Sequence, residues 1–207
     1  LNSVDPYEMD VNQGVFMEFH ENGRVYRKIN YGNDLKNGYA WYYSPDSVLM
    51  YRVLFIQDVI REISYLDKSG KYVPSIVATP ELQDVKTYYP DGSVSAAFTL
   101  ENGLFHGKFT SFYPGGRPFK EIHYNKGDNE GLSITYYPNG KLKEKQTFSQ
   151  DMRHGDFTSY HPGGQKSTEG RYSYNREEGE WRYYDATGRM TGQLFYDSGD
   201  LYEIREL

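Results

Sequence analysis

The feature that most constrains this chain is a period. Gly107, Gly131, Gly155 and Gly179 each precede an aromatic segment, and each lies 24 residues after the one before. A second series, Gly92, Gly116, Gly140, Gly164 and Gly188, keeps the same step. So do Pro90, Pro114, Pro138 and Pro162, with Ala186 in the fifth slot. Three series at one spacing mean internal repetition, which decides architecture before any single residue does. The first half keeps the rhythm with drift. Gly14 and Gly38 are 24 apart, with turn positions at Gly23 and Ser47; Gly70 follows 23 residues after Ser47, and Gly92 22 after Gly70. Eight repeats result, with turns at residues 23, 47, 70, 92, 116, 140, 164 and 188. The third and fourth have Arg61 and Gln83 where the others have the leading glycine.

Each repeat reads as one hairpin. Its first arm is short and aromatic, as in KFTSFY (108–113), LSITYY (132–137), DFTSYH (156–161) and EWRYYD (180–185), and aromatic and β-branched residues suit strands. PGG or PNG then turns the chain, proline presetting φ and glycine accepting φ > 0. The second arm alternates toward apolar positions such as Ile122 and Tyr124, which a spacing of two places on one face. In the first arm Phe109 and Phe112, like Trp181 and Tyr184, are three apart. Either a β-bulge intervenes there or both faces are partly covered. The segment FIQDVIREISYL (55–66) has helical spacing, but the repeat register makes it the two arms of a hairpin. VPSIVATPELQDV (73–85), with prolines at 74 and 80, is expected to be an irregular excursion.

A lone hairpin is barely stable in water, so neighbouring hairpins must pair edge to edge. The expected fold is all-β: an elongated, twisted antiparallel sheet of about eight tandem 24-residue hairpins, about 75 Å long at the usual strand spacing. Residues 14–207 form the repeat domain and 1–13 a tail or cap. The charged ends DPYEMD (5–10) and YEIREL (202–207) are placed to guard the outer strands against further pairing. Composition agrees. Hydrophobic residues make up only 37%, while aromatics reach 17% with 22 tyrosines, which favours a thin structure packed ring against ring over a thick aliphatic core.

Bulk properties exclude several function classes. A formal net charge of −6 argues against a nucleic-acid partner. The absence of cysteine removes disulfides, thiolate catalysis and cysteine-ligated zinc. No run of 18 apolar residues exists, so no transmembrane helix is expected. The chain begins at Leu1, which leaves the compartment open between the cytoplasm and export or lipid anchoring after removal of a leader.

The pattern G-x-[FW]-x-x-[YF]-[YH]-P-x-G-[KRQ], followed by a strand and a polar link to the next glycine, resembles the MORN repeat variant. Residues 107–188 fit it best, DMRHGDFTSYHPGGQK (151–166) is close to the family's phrase, and the resemblance covers most of residues 14–207. It implies stacked β-hairpins in an elongated sheet. It also implies a docking role, since such arrays act as protein or membrane scaffolds and bacterial members are commonly labelled antitoxins of toxin–antitoxin systems.

The side chains themselves offer little chemistry. His106 and His154 occupy the same slot two repeats apart, about 20 Å at the usual strand spacing, too far to share a metal. Ser111 and Ser159 also share a slot, and no G-x-S-x-G elbow occurs. The carboxylates of REEGE (176–180), Glu121, Glu144 and Glu169 fall where charges are normally solvated. PGGR and PNGK lead into strands, not into the helix that a phosphate loop needs. No enzyme activity, metal or cofactor is expected. The aromatic ladder is the candidate surface. Position five after the repeat glycine holds Phe19, Tyr43, Leu66, Tyr88, Phe112, Tyr136, Tyr160 and Tyr184. Position six holds Tyr89, Tyr113, Tyr137 and His161. Adjacent strand residues point to opposite faces, so one series is the packing spine and the other decorates a surface. Tyr89, Tyr113, Tyr137 and His161 are taken as the exposed set. Their expected ligand is a protein partner, with a glycan as the alternative, and the end strands could pair two chains into a dimer.

Overall fold

The computed structural model describes residues 13–206 and is built from antiparallel strands. The eight predicted turns are all present, and each closes with the same two backbone hydrogen bonds. In the fifth repeat Tyr113 N donates to Arg117 O at 2.8 Å and Gly116 N to Tyr113 O at 2.9 Å. The same pair recurs at residues 20, 44, 67, 89, 137, 161 and 185. The weaker third and fourth repeats are therefore hairpins like the rest, and residues 55–66 form two strands with a turn at Gln57 and Asp58.

One expectation needs refinement. The array is divided into two sheets. The first has six strands in chain order: β1 (Gly14–Phe19), β2 (Val25–Gly32), β3 (Leu35–Tyr43), β4 (Leu49–Ile56), β5 (Val59–Ser64) and β6 (Ile76–Val77). The second has twelve and opens with β7 (Gln83–Tyr88), β8 (Val94–Glu101), β9 (Leu104–Phe112) and β10 (Pro118–Asn125). After the two-residue β11 (Asp128–Asn129) it continues through β12 (Gly131–Tyr136), β13 (Leu142–Ser149), β14 (Met152–Tyr160), β15 (Lys166–Ser173), β16 (Arg176–Tyr184), β17 (Met190–Asp197) and β18 (Asp200–Glu206). The excursion expected at 73–85 is the passage between sheets. Its last three residues already belong to β7, and Ile76 and Val77 pair with β5. The acidic segment 5–10 lies outside the described residues. YEIREL is not a tail beyond the sheet: residues 202–206 are the edge strand itself.

The passage folds the first sheet back onto the start of the second. Their facing sides share one core, with Val53, Phe55, Ile60 and Ile63 against Val85, Phe98, Leu100 and Phe109. Ser95 Oγ, fully buried, donates across the joint to Met50 O at 3.0 Å. Tyr51 and Phe98 meet at 6.0 Å. Cover is unequal. Among the described residues, ion pairs and ring contacts between the sheets reach only as far as Lys143, which meets Glu21 at 2.7 Å. From β14 onward the aromatic side chains Phe157, Tyr172 and Trp181 pack on one another, at centroid distances of 5.8, 5.4 and 4.9 Å.

The first arm alternates regularly. Positions two, four and six face inward, as Phe109, Ser111 and Tyr113 do. Position five lies on the other face, where Phe112 is half-buried, so the apolar residues three apart reflect two partly covered faces. In most hairpins the register shifts at a bulge beside position five, for example at Thr135/Tyr136, Ser159/Tyr160 and Tyr183/Tyr184, with the extra residue in the second arm at Lys143, Ser167 and Thr191. Repeats are joined by two-residue turns in which both residues have φ > 0, as at Asn102-Gly103, Gln150-Asp151 and Tyr174-Asn175. This is the type I′ geometry that matches strand twist.

Candidate functional site: the position-six ladder and the outer strands

The structure turns the expected binding surface inward. Tyr89 is 2% exposed and Tyr113 is 7% exposed; Tyr137 and His161 are half-buried. Each reaches across to the next hairpin. The Tyr89 hydroxyl donates to Phe112 O at 2.6 Å, Tyr113 to Tyr136 O at 2.9 Å, and Tyr137 to Tyr160 O at 2.6 Å. His161 Nε2 lies 2.9 Å from Tyr184 O, and His20 Nε2 lies 3.0 Å from Tyr43 O. A carbonyl only accepts, so both imidazoles carry their proton on Nε2. The physical reason is the bulge. It interrupts the regular ladder beside position five, and a carbonyl turned inward there needs a donor. A ring at position six of the preceding repeat is long enough to supply it. Burial pushes the Tyr113 phenol up to about 12, which keeps it a donor throughout the neutral range.

Four residues proposed for binding are therefore an inter-repeat clasp, and Tyr89 and Tyr113 are corrected from surface to interior. Tyr113→Phe leaves the Tyr136 carbonyl without its donor and should cost about 1–2 kcal/mol in a urea titration. Tyr136→Phe, which removes no bond of this clasp, should cost less.

The structural glycines behave as their slots require. Gly107, Gly131, Gly155 and Gly179, and the turn glycines Gly116, Gly140, Gly164 and Gly188, all have positive φ. The histidines of the shared slot do not come together: His106 lies 3.7 Å from Glu101 on β9, and His154 sits 4.5 Å from the Tyr174 ring on β14. The outer face of the last repeats carries a charge network. Lys166 Nζ and the Tyr184 hydroxyl both bond Glu169, at 2.5 and 2.6 Å, and Arg182 bonds Glu180 at 2.5 Å. The Lys166 ammonium and the Tyr184 phenol hold the Glu169 carboxyl below its usual range.

An exposed apolar surface lies where sequence reading did not place it, on the outer strands. In β1, Val15, Phe16, Met17 and Phe19 are 44–59% exposed. In β18, Leu201, Tyr202 and Ile204 are exposed, but Glu203 and Arg205 alternate with them and bond each other at 2.6 Å. Charges of that kind guard an edge against pairing. The one charge in β1, Glu18, is taken by Arg27 at 2.6 Å. The signal was legible in GVFMEF, an apolar strand at the end of the array with no Lys or Pro.

Comparison with known proteins adds the following. The model of the MORN repeat variant matches residues 12–33, 105–126, 129–150 and 177–198. It does not match the repeat containing residues 151–166, whose second arm carries Gly170 at a core-facing position. No curated protein matches. Among solved structures, a porin-like protein from Bacteroides uniformis is 10% identical over 86% of this chain and 88% of its own, with a TM-score of 0.22. The Photorhabdus luminescens Tc holotoxin pore is 11% identical over 87% of this chain but only 12% of its own, with a TM-score of 0.20. The TcdB2–TccC3 structure is 10% identical over 90% of this chain and 14% of its own, also at 0.20. These likenesses bear on neither fold nor function. Among the described residues, no helix is long and apolar enough to cross a membrane. The chain thus carries four segments that the MORN repeat variant model matches, and its other hairpins repeat the same turn hydrogen bonds.

Proposed function

We propose that this protein is a non-enzymatic repeat scaffold that docks an extended segment of a partner protein along β1. The observation that supports the reading is the state of that edge. All six residues of β1 are exposed, four of them are large and apolar, and its single charge is engaged by Arg27. An edge strand offers a row of unpaired backbone groups, and an added strand gains main-chain hydrogen bonds with side-chain pockets at alternate positions. Val15, Met17 and Phe19 would provide one such face. The bulge at Glu18/Phe19 limits the length of straight edge to about five residues. Serines and histidines that could suggest chemistry recur in matching repeat slots, which fits packing duties. The glycan reading through Tyr89, Tyr113, Tyr137 and His161 loses its surface to the clasp.

An antitoxin-like role is the narrower form of this reading, in which the docked segment belongs to a toxin. The test is recovery of a partner by the wild-type chain and by a Val15→Lys/Met17→Lys variant, combined with hydrogen exchange on the complex. Recovery should fall at least tenfold in the variant, and the outward amides of residues 14–19 should be slowed in the complex. Equal recovery by the variant, or unchanged exchange at β1, would remove the proposal. For the antitoxin form, failure of co-expression to rescue growth from a neighbouring toxic gene product removes the narrower claim alone.

A further inference from the structure

The space between the two sheets is not filled throughout. Toward the type I′ turns they part and enclose a cavity of about 350 Å³. On one side lie Tyr42 and Tyr51, stacked at 4.8 Å; on the other lie Phe105 and Tyr124, 5.0 Å apart. Toward solvent the lining passes to Lys36, Asp58, Asn129 and Asp151.

Two hydroxyls in this wall have nothing to bond. Tyr51 is 2% exposed and Tyr124 is half-buried, and among the described residues neither phenol has a hydrogen-bond partner. Both open onto the cavity, where a bound molecule can complete their bonds, and the same lining holds two buried polar atoms with no partner among the described residues, Arg27 Nε and Asn129 Oδ1. The formal charges of the wall balance: Lys36 and Arg27 line it together with Asp58 and Asp151. Arg27 Nη2 bonds Glu18 at 2.6 Å, and Asp151 Oδ1 accepts from Asn129 N and Nδ2 at 2.8 and 2.7 Å.

We infer that this cavity is a binding site for a neutral, polyhydroxylated small molecule about the size of one sugar ring. Such a molecule lays its C–H face on the aromatic walls, while its hydroxyls both accept from and donate to Tyr51 and Tyr124. The volume sits near the lower end of the range for small-molecule pockets, roughly 300–1,000 Å³. Burial already raises the pKa of Tyr42, Tyr51 and Tyr124, so the site opposes added negative charge. A wholly apolar ligand leaves both hydroxyls unpaired.

The experiment is saturation-transfer NMR on the full chain with D-glucose, D-galactose, D-mannose and N-acetyl-D-glucosamine, and with sodium benzoate as the anionic comparator. At least one sugar should show transfer, reduced fivefold or more in the Tyr51→Phe/Tyr124→Phe variant. That variant keeps the rings and should melt as a folded protein. Tyr137→Phe, at the distant clasp, should leave the signal unchanged. Transfer to benzoate only, transfer to no sugar, or transfer that survives the double Tyr→Phe variant would overturn the inference.

Discussion

Gly103→Ala should be among the most damaging single-methyl changes in this protein, costing about 4 kcal/mol and lowering the melting temperature by about 10 °C or more. Two effects combine. Gly103 has φ of +72°, a conformation that costs an L residue about 1–2 kcal/mol. A Cβ there would also stand 2.5 Å from the Ile60 carbonyl oxygen and 2.7 Å from Val59 Cγ1. Neither is the free end of a flexible side chain. Ile60 N donates to Gly103 O at 2.9 Å, so the type I′ turn between β8 and β9 is bonded directly to β5 of the other sheet. The added methyl must push the sheets apart at their joint or break that bond.

Gly116 separates the two effects. Its φ is +83°, yet a Cβ there meets nothing within 4 Å. Gly116→Ala should therefore cost only the backbone strain, about 1–2 kcal/mol. Asn tolerates positive φ, so Gly116→Asn should be close to neutral. Gly103→Asn should remain severely destabilised, because asparagine relieves the strain and not the overlap. Thermal melts of the four variants would decide the matter. Equal losses at the two positions would mean that φ, and not the sheet joint, sets the demand for glycine at residue 103.

This contrast bears on how much was legible in the sequence. Gly103 and Gly116 look alike there, each a glycine in a turn, and only the fold says that one of them touches another sheet. The eight turns could be read because each has a local cause: proline, glycine or Asx chemistry at a fixed spacing. The fold-back could not, because its cause is contact between residues far apart in the chain, such as Ser95 with Met50, 45 residues away. A signal for it does exist at position six. Where a further hairpin follows in the same sheet, that position is usually a ring that clasps it. Repeat three, just before the break, has Asp67, and repeat eight, at the last hairpin, has Asp185. Both carboxylates fold back on their own turns, Asp67 onto Ser69 and Lys71, and Asp185 onto Thr187 and Arg189. An aspartate in the ring slot thus marks an array end. The face of the tyrosines was misread at the choice between two alternating series. Alternation holds along the first arm, so position six shares the inner face with positions two and four, as Tyr89 does with Val85 and Thr87 and Tyr113 with Phe109 and Ser111. Nothing local in the sequence says which series faces the core.

The far half of the long sheet poses a different question: what keeps its aromatic face dry when no sheet covers it? The answer supplies the second large effect. Gly170 occupies the second-arm position that holds Ile29, Val53, Phe98 and Ile122 in the repeats that share the common core. With no side chain there, the Trp181 indole lies over the strand, against Tyr172 at 4.9 Å and Phe157 at 5.4 Å, and is itself only 3% exposed. A Cβ on Gly170 would overlap Trp181 Cδ2 and stand 2.7 Å from Cε3. Its φ is not in the positive region, so backbone strain plays no part. In a strand, alanine is ordinarily better than glycine by about 0.5–1 kcal/mol. Gly170→Ala should nevertheless lose about 2–3 kcal/mol by overpacking, and Trp181→Ala about 3–5 kcal/mol by loss of the ring. The two losses should not add. Once the indole is gone the Gly170→Ala methyl has no clash, and in that background the change should turn neutral or mildly stabilising. Urea unfolding of the four chains, in a Trp41→Phe background so that Trp181 is the sole indole wherever it remains, gives the coupling directly. Additive losses would mean that glycine is needed at 170 for the strand itself. A sign reversal would mean that one tryptophan, admitted by one missing side chain, does for this half of the sheet what a second sheet does for the other.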